Sequence, residues 1–171
     1  TKSKYLILSL QEMKEGCKIT FIKMGDVFDK TPIKTSHLSK VSYYRLLSAS
    51  LLPQYNKCLY LDVDTVVEED LSILFRMSID DYLVAGVKAA GYFFPERWAE
   101  THRKELGIPN IDQYINAGVL MMDLAKFRQN NLEKVLISLS ENGYSSEDQD
   151  VINVACYGQI KCIPLKYNLM N

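Results

Sequence analysis

The sequence lacks a dominant charge: 20 Lys and Arg stand against 21 Asp and Glu, a formal net charge of −1 over 171 residues. Without a basic field nothing draws in nucleic acid or acidic lipid at long range, so any bound phosphate must be held by a local site. Paired cysteines are missing too. Cys17, Cys58, Cys156 and Cys162 stand singly, with no C-x-x-C spacing. That argues against a disulfide framework and for buried, reduced thiols in a cytoplasmic protein. No apolar run approaches the ~20 residues of a membrane span, and no signal peptide opens the chain. Repeats and low-complexity stretches are also absent. The histidines, His37 and His102, are at metal spacing neither with each other nor with an acidic pair, and His102 reads as a solvated helix residue.

What is present is an ordinary globular composition, 47% hydrophobic and 24% charged, in a length that suits one domain over residues 1–171. A helical pattern over residues 5–15 closes at Gly16. Residues 18–24 (KITFIKM) alternate like a strand. Ser39 can cap a helix through Leu52 with Val41, Tyr44, Leu51 and Leu52 inward, stopped by Pro53. Residues 57–61, 83–87, 119–122 and 160–164 read as short strands. Between them lie a helix from Asp70 through Phe75, one from Pro95 to Gly107, one over 132–141 and one over 149–157. Short apolar strands alternating with helices predict an α/β domain with a mixed, mainly parallel sheet.

The segment that carries chemistry is KCLYLDVDTVV, residues 57–67. An apolar strand ends there in Asp62-Val63-Asp64, and in open α/β sheets ligands bind at the carboxyl ends of strands. In an extended segment Asp62 and Asp64 point to the same side, about 7 Å apart at Cα. Their mutual repulsion is relieved by a hard divalent cation, Mn2+ or Mg2+, which takes oxygen ligands and keeps positions for substrate phosphates. The plain alternative is a solvated turn. A chemical rival is the first motif of haloacid-dehalogenase-type phosphatases, with Asp62 as nucleophile and Asp64 as general acid. That order is wrong here, because a strand precedes the motif and the acidic pair Asp80-Asp81 comes before Lys88.

Three further segments carry a family resemblance. SHLSKVSYYRLLSASLLP precedes the metal motif, YINAGVLMMDLAKFR spans residues 114–128, and EDQDVINVACYGQIKCIPLKYNLM closes the chain. In order and spacing they resemble the retaining family-8 glycosyltransferases, the group that includes lipopolysaccharide galactosyl- and glucosyltransferases and glycogenin. The resemblance implies a GT-A fold, Rossmann-like, and transfer of a hexose from a UDP-sugar donor to a hydroxyl of a glycan or glycolipid acceptor. It implies a metal on Asp62 and Asp64, with Val63 also in the donor site and Arg45 directed at the donor. By the same resemblance Asn116, Ala117 and Gly118 bind donor, Asp148 orients sugar hydroxyls, Gln149 lies at the reacting carbon, and His37 lies near the acceptor. The residues taken alone leave Arg45 as a surface helix charge, Asn116-Ala117-Gly118 as a turn, and the acidic run as a helix cap.

The sequence departs from the family after residues 83–87. Many members have an aspartate there that binds the donor sugar, whereas this chain has Lys88-Ala89-Ala90-Gly91. The chain begins without Met and is expected to be cut at both ends, lacking the family's base-binding first strand and its C-terminal metal histidine. A fragment of that kind is expected to be inactive alone and to self-associate through bare sheet edges. Any peripheral membrane contact would rest on the segments it lacks. A non-catalytic remnant that only binds sugar nucleotide is the third reading.

Overall fold

The computed structural model describes residues 18–34, 40–89 and 96–169, with residues 96–98 described by backbone alone. The expected helix over 5–15, Cys17, His37 and Pro95 lie outside the described residues.

Among the described residues the first regular element is a 3-10 helix, Lys40–Leu47, running into α1 (Ser48–Leu51). A 3-10 helix has three residues per turn, so residues i and i+3 eclipse. Tyr43, Leu46 and Ala49 therefore share one buried face, and Ser42 and Arg45 share another. The α-helical period misplaces this face: Val41, expected inward, is 66% exposed. The helix ends before Pro53, which disfavours helical geometry in the residue preceding it.

Strand β1 (Lys57–Leu61) leads to α2 (Ser72–Arg76), β2 (Val84–Lys88) and α3 (Glu96–Leu106). Asp70 accepts from Ser72 N at 2.8 Å and so starts α2 by an Asx turn. Gly107, with φ +67°, ends α3 in the left-handed region. Next come β3 (Ile115–Asp123), α4 (Leu124–Gln129), α5 (Leu132–Ser140), α6 (Glu147–Ala155) and β4 (Ile160–Ile163). A 3-10 turn, Leu165–Tyr167, follows.

Among the described residues the strands form one sheet in the order β1-β3-β2-β4. β3 runs antiparallel to both β1 and β2, and only β2 and β4 are parallel. The mixed sheet is as expected; among the described residues its antiparallel pairs outnumber its parallel pair, two to one. β3 inserts between β1 and β2 in the opposite direction, which alternation of strands and helices cannot reveal. Residues 18–24 form no strand either. The described part of the sheet offers them no ladder, and their side chains are mostly exposed. β propensity alone does not make a strand.

Apolar clusters cover both faces. One joins Tyr43, Leu46, Ile115, Leu120, Met122 and Leu136; the other joins Leu74, Ala85, Val87, Val119 and Met121. β3 changes face within its own length. Gly86 pairs with Leu120 but Lys88 with Ile115, so two steps along β2 span five along β3. Asn116, Ala117 and Gly118 occupy that bulge. A bulge turns residues out of the ladder, and such irregularities recur beside functional sites.

Candidate active site

The cleft lies where β1 ends, β3 bulges and α6 begins. Its volume is about 330 Å³, and its walls include Arg45, Asp62, Asn116, Ala117, Gly118, Asp148 and Gln149, joined by Ser42, Ser145 and Ser146. Residues scattered over 100 positions of sequence thus meet at one place.

Asp62 continues the β1–β3 ladder by one residue, its N–H donating to Gly118 O at 2.8 Å. Beyond it the chain closes a turn, with Thr65 N–H donating to Asp62 O at 3.1 Å. The segment is not extended, so the spacing by strand rise does not apply to Asp62 and Asp64. Val63 is fully exposed, Asp64 is exposed, and neither lines the cleft. The carboxylate of Asp62 is oriented by two donors on one oxygen: Arg45 Nη2 at 2.9 Å and the Tyr60 hydroxyl at 2.7 Å both reach Oδ1.

Arg45 is the hub. Its side chain is only 7% exposed. Besides Asp62, it places Nε 2.9 Å from Asp148 Oδ2, donates Nη1–H to Ala117 O at 2.5 Å, and stacks over the Tyr60 ring at 4.3 Å. The single Nε hydrogen points to Ser42 O at 3.0 Å, so the contact with Asp148 is an ion pair rather than a hydrogen bond. A surface helix charge does not describe Arg45 here. It clamps two carboxylates and the bulge together.

Asp148 is nearly buried, and burial pushes its carboxyl up to about 6; the Arg45 charge and a hydrogen bond from Ser42 pull in the opposite direction without cancelling it. Desolvation outweighs the ion pair, which is the usual outcome for a buried charge with one partner.

The bulge is tied down from both sides. Asn116 Oδ1 accepts from Gly118 N at 2.8 Å and from Asn168 Nδ2 at 2.7 Å. Gln149 Oε1 accepts from Asn116 Nδ2 and from Ala117 N, each at 3.1 Å. A backbone N–H can only donate, so the Ala117 contact fixes which end of the Gln149 amide faces it. Asn153 holds Ile115 through both its groups, accepting from Ile115 N at 2.7 Å and donating to Ile115 O at 2.8 Å. Gly118 has a steric duty. A Cβ there would lie 2.9 Å from Asn116 Oδ1 and 3.2 Å from Asp62 Oδ2.

His102 is not a solvated helix residue. It is 3% exposed, its Nε2 lies 2.8 Å from Asp150 Oδ1, and its ring meets Tyr114 edge-on at 5.5 Å. The Tyr114 hydroxyl donates to the same Asp150 oxygen at 2.5 Å and accepts from Gln149 Nε2 at 3.0 Å. The solvated reading failed because helix position says nothing of what α6 brings against α3. Tyr60, Tyr114, Ser42, Asn153 and Asn168 were not singled out in the sequence either. Tyr60 and Asn153 carried a signal, being two residues before Asp62 and inside the D-Q-D-x-I-N block; Asn168 carried none. Of the cysteines, Cys58 and Cys156 have burial-raised thiols, to about 11 and about 12, but Cys162 is exposed.

The fold and the cleft define a GT-A glycosyltransferase architecture, and comparison with known proteins agrees. The galactosyltransferase LgtC, solved with donor and acceptor sugar analogues, is 26% identical and superposes with a TM-score of 0.71, over 82% of this chain and 50% of its own. A second LgtC structure, carrying an active-site glutamine-to-glutamate mutation, gives 25% and 0.72 over the same shares. General stress protein A of Bacillus subtilis is 29% identical over 86% of this chain and 51% of its own length. The lipopolysaccharide 1,2-glucosyltransferase of Escherichia coli is 33% identical over 76% and 38%. The profile of glycosyl transferase family 8 matches residues 4–171, and the chain belongs to that family. It spans about half the length of the curated relatives it matches, or less.

Family membership leaves the dehalogenase-type phosphatase disfavoured. Among the described residues no helix is long and apolar enough to cross a membrane, and no group of three or more His, Cys, Asp or Glu is placed to hold a metal ion.

Proposed function

We propose that this chain forms the donor-binding part of a cytoplasmic, metal-dependent retaining transferase. It would move a hexose from a UDP-sugar to a hydroxyl of a cell-surface glycan or lipopolysaccharide-type acceptor. The observation that carries the reading is the convergence of Arg45, Asp62, Asn116, Asp148 and Gln149 on one cleft.

The site suits a hard cation on one point of geometry. Asp62 Oδ1 is occupied by Arg45 and Tyr60, while Oδ2 faces the space that glycine at 118 leaves clear. Asp62 and Asp64 would hold Mn2+ or Mg2+ with carboxylate oxygens, the remaining positions falling to phosphate and water; once bound, the ion supplies Lewis-acid stabilisation to a leaving diphosphate. Arg45 acts by keeping Asp62 and Asp148 in place beside the donor. Asn116 and Asp148 orient sugar hydroxyls. Gln149 lies beneath the anomeric carbon. Its carbonyl oxygen already accepts two N–H donors, so it contributes a fixed dipole toward developing oxocarbenium charge rather than a nucleophile.

The test is calorimetric titration of the full-length protein with UDP, with and without Mn2+, alongside Asp62→Ala and Asp64→Ala. Metal-dependent UDP binding that disappears in both variants is expected. Unchanged UDP affinity in both would remove the metal assignment. Phosphomonoester turnover without UDP affinity would revive the phosphatase. Metal-dependent UDP binding with neither transfer nor donor hydrolysis would leave a binding module.

A further inference from the structure

A line of polar groups leads from the cleft into the protein. Ala117 N–H and Asn116 Nδ2–H donate to Gln149 Oε1; Gln149 Nε2–H donates to the Tyr114 hydroxyl; the Tyr114 hydroxyl donates to Asp150 Oδ1. Every direction in this series follows from the one donor that cannot reverse, the Ala117 amide. The series ends on a carboxylate that is 0% exposed. A buried carboxylate at the end of a line of donors needs a cation or further donors to hold it. Ser146 N–H supplies one bond to Oδ2 at 2.7 Å, and the His102 ring nitrogen faces Oδ1 at 2.8 Å.

We propose that His102 is a positioning residue for the cleft: by anchoring Asp150 it fixes Tyr114, through Tyr114 the Gln149 amide, and through Gln149 the Asn116–Ala117 bulge. It touches no substrate, and its consequence for catalysis rests on the transferase reading above. Among the described residues the groups facing it include Asp150 from α6, the Tyr114 ring and hydroxyl before β3, Ser145 Oγ at 3.5 Å from Nδ1, and on its own helix Glu105 Oε2 at 3.6 Å. Burial pulls the imidazole pKa down, but the hydrogen bond and charge of Asp150, with Glu105, more than offset this and leave it raised. The imidazolium is therefore the form that meets Asp150 at mildly acidic pH, and its charge is lost as pH climbs through the raised value.

Two variants and two readouts on the full-length protein test this. His102→Gln keeps a nitrogen donor near the Nε2 position without the charge; His102→Leu removes both. With a turned-over UDP-sugar, His102→Leu should lose roughly tenfold to a hundredfold in kcat/KM, the scale seen when a group that orients a site through another is removed. The native protein should lose kcat/KM as pH climbs through the His102 titration, and His102→Gln should recover only the part of the loss that a neutral donor can, holding the native alkaline level with no such pH dependence of its own. Independently of turnover, NMR should show the Gln149 side-chain amide and the Ala117 amide shifting with the His102 titration, and standing still in His102→Gln. A native kcat/KM in His102→Leu, or a Gln149 amide indifferent to the His102 titration, overturns the proposal. If no UDP-sugar is turned over, the transferase reading fails, and the NMR result alone decides whether His102 sets the position of Gln149.

Discussion

Asp148→Asn should leave the protein at least as stable as the native chain at neutral pH while removing donor turnover. The folded state holds the Asp148 carboxyl at about 6, against an ordinary value of 3.8. At about 1.36 kcal/mol per pH unit this corresponds to on the order of 3 kcal/mol spent keeping the carboxylate ionised at pH 7. Because the folded value is the higher one, the fold binds the proton more tightly. The penalty is thus absent below about pH 4, grows through the window from 3.8 to about 6, and is complete above it. Between pH 7 and pH 5 it shrinks by roughly 1.3 kcal/mol. Asparagine is nearly isosteric with the neutral acid and carries no such dependence, while Arg45 keeps Asp62 at 2.9 Å and the Ala117 carbonyl. Urea unfolding of both proteins at pH 7 and pH 5, compared at equal m, reads the effect. The stability difference in favour of the variant should be largest at pH 7 and fall on acidification. A variant less stable than the native protein by more than about 1 kcal/mol at pH 7 would refute the reasoning, since the ion pair with Arg45 would then outweigh desolvation.

Arg45→Met removes the clamp and leaves the buried Asp148 without its cation; a loss of about 3–5 kcal/mol in urea unfolding is expected, with Arg45→Lys restoring only part of it because an ammonium cannot span both carboxylates and a carbonyl. Unchanged stability in Arg45→Met would contradict the clamp. Gly118→Ala forces a Cβ against Asn116 Oδ1 and Asp62 Oδ2, so UDP affinity by calorimetry should fall at least about tenfold, or 1.4 kcal/mol, with the unfolding midpoint little changed. Gln149→Ala should lower kcat by about a hundredfold or more while raising KM less, as expected for a preorganised dipole that acts on the transition state. Loss confined to KM would make Gln149 a binding contact only.

Much of this protein is legible in order along the chain. The strand ending in Asp62, the Asn116-Ala117-Gly118 block and the Asp148-Gln149-Asp150 helix start are local patterns, and each element that carries them forms within a few residues of where the pattern places it. Local signals fail where geometry is set by distant segments. Residues 18–24 alternate like a strand and form none. The helix carrying Arg45 takes a 3-10 period, so the face predicted from 3.6 residues per turn exposes Val41 and buries Tyr43 instead.

The sequence by itself determined which chemical groups are available and in what order: paired aspartates after an apolar strand, an upstream arginine, an amide-rich block and an acidic helix start. Those follow from residue type and short-range spacing, which the chain carries without folding. Only the tertiary structure decided that β3 runs against both neighbours and bulges at residues 116–118, that Arg45 is a buried clamp on Asp62 and Asp148, and that His102 holds Asp150. Each of these joins positions between 17 and 103 residues apart, and the charge and hydrogen-bond terms that decide them act through space at about 3 Å, a distance with no counterpart in sequence separation.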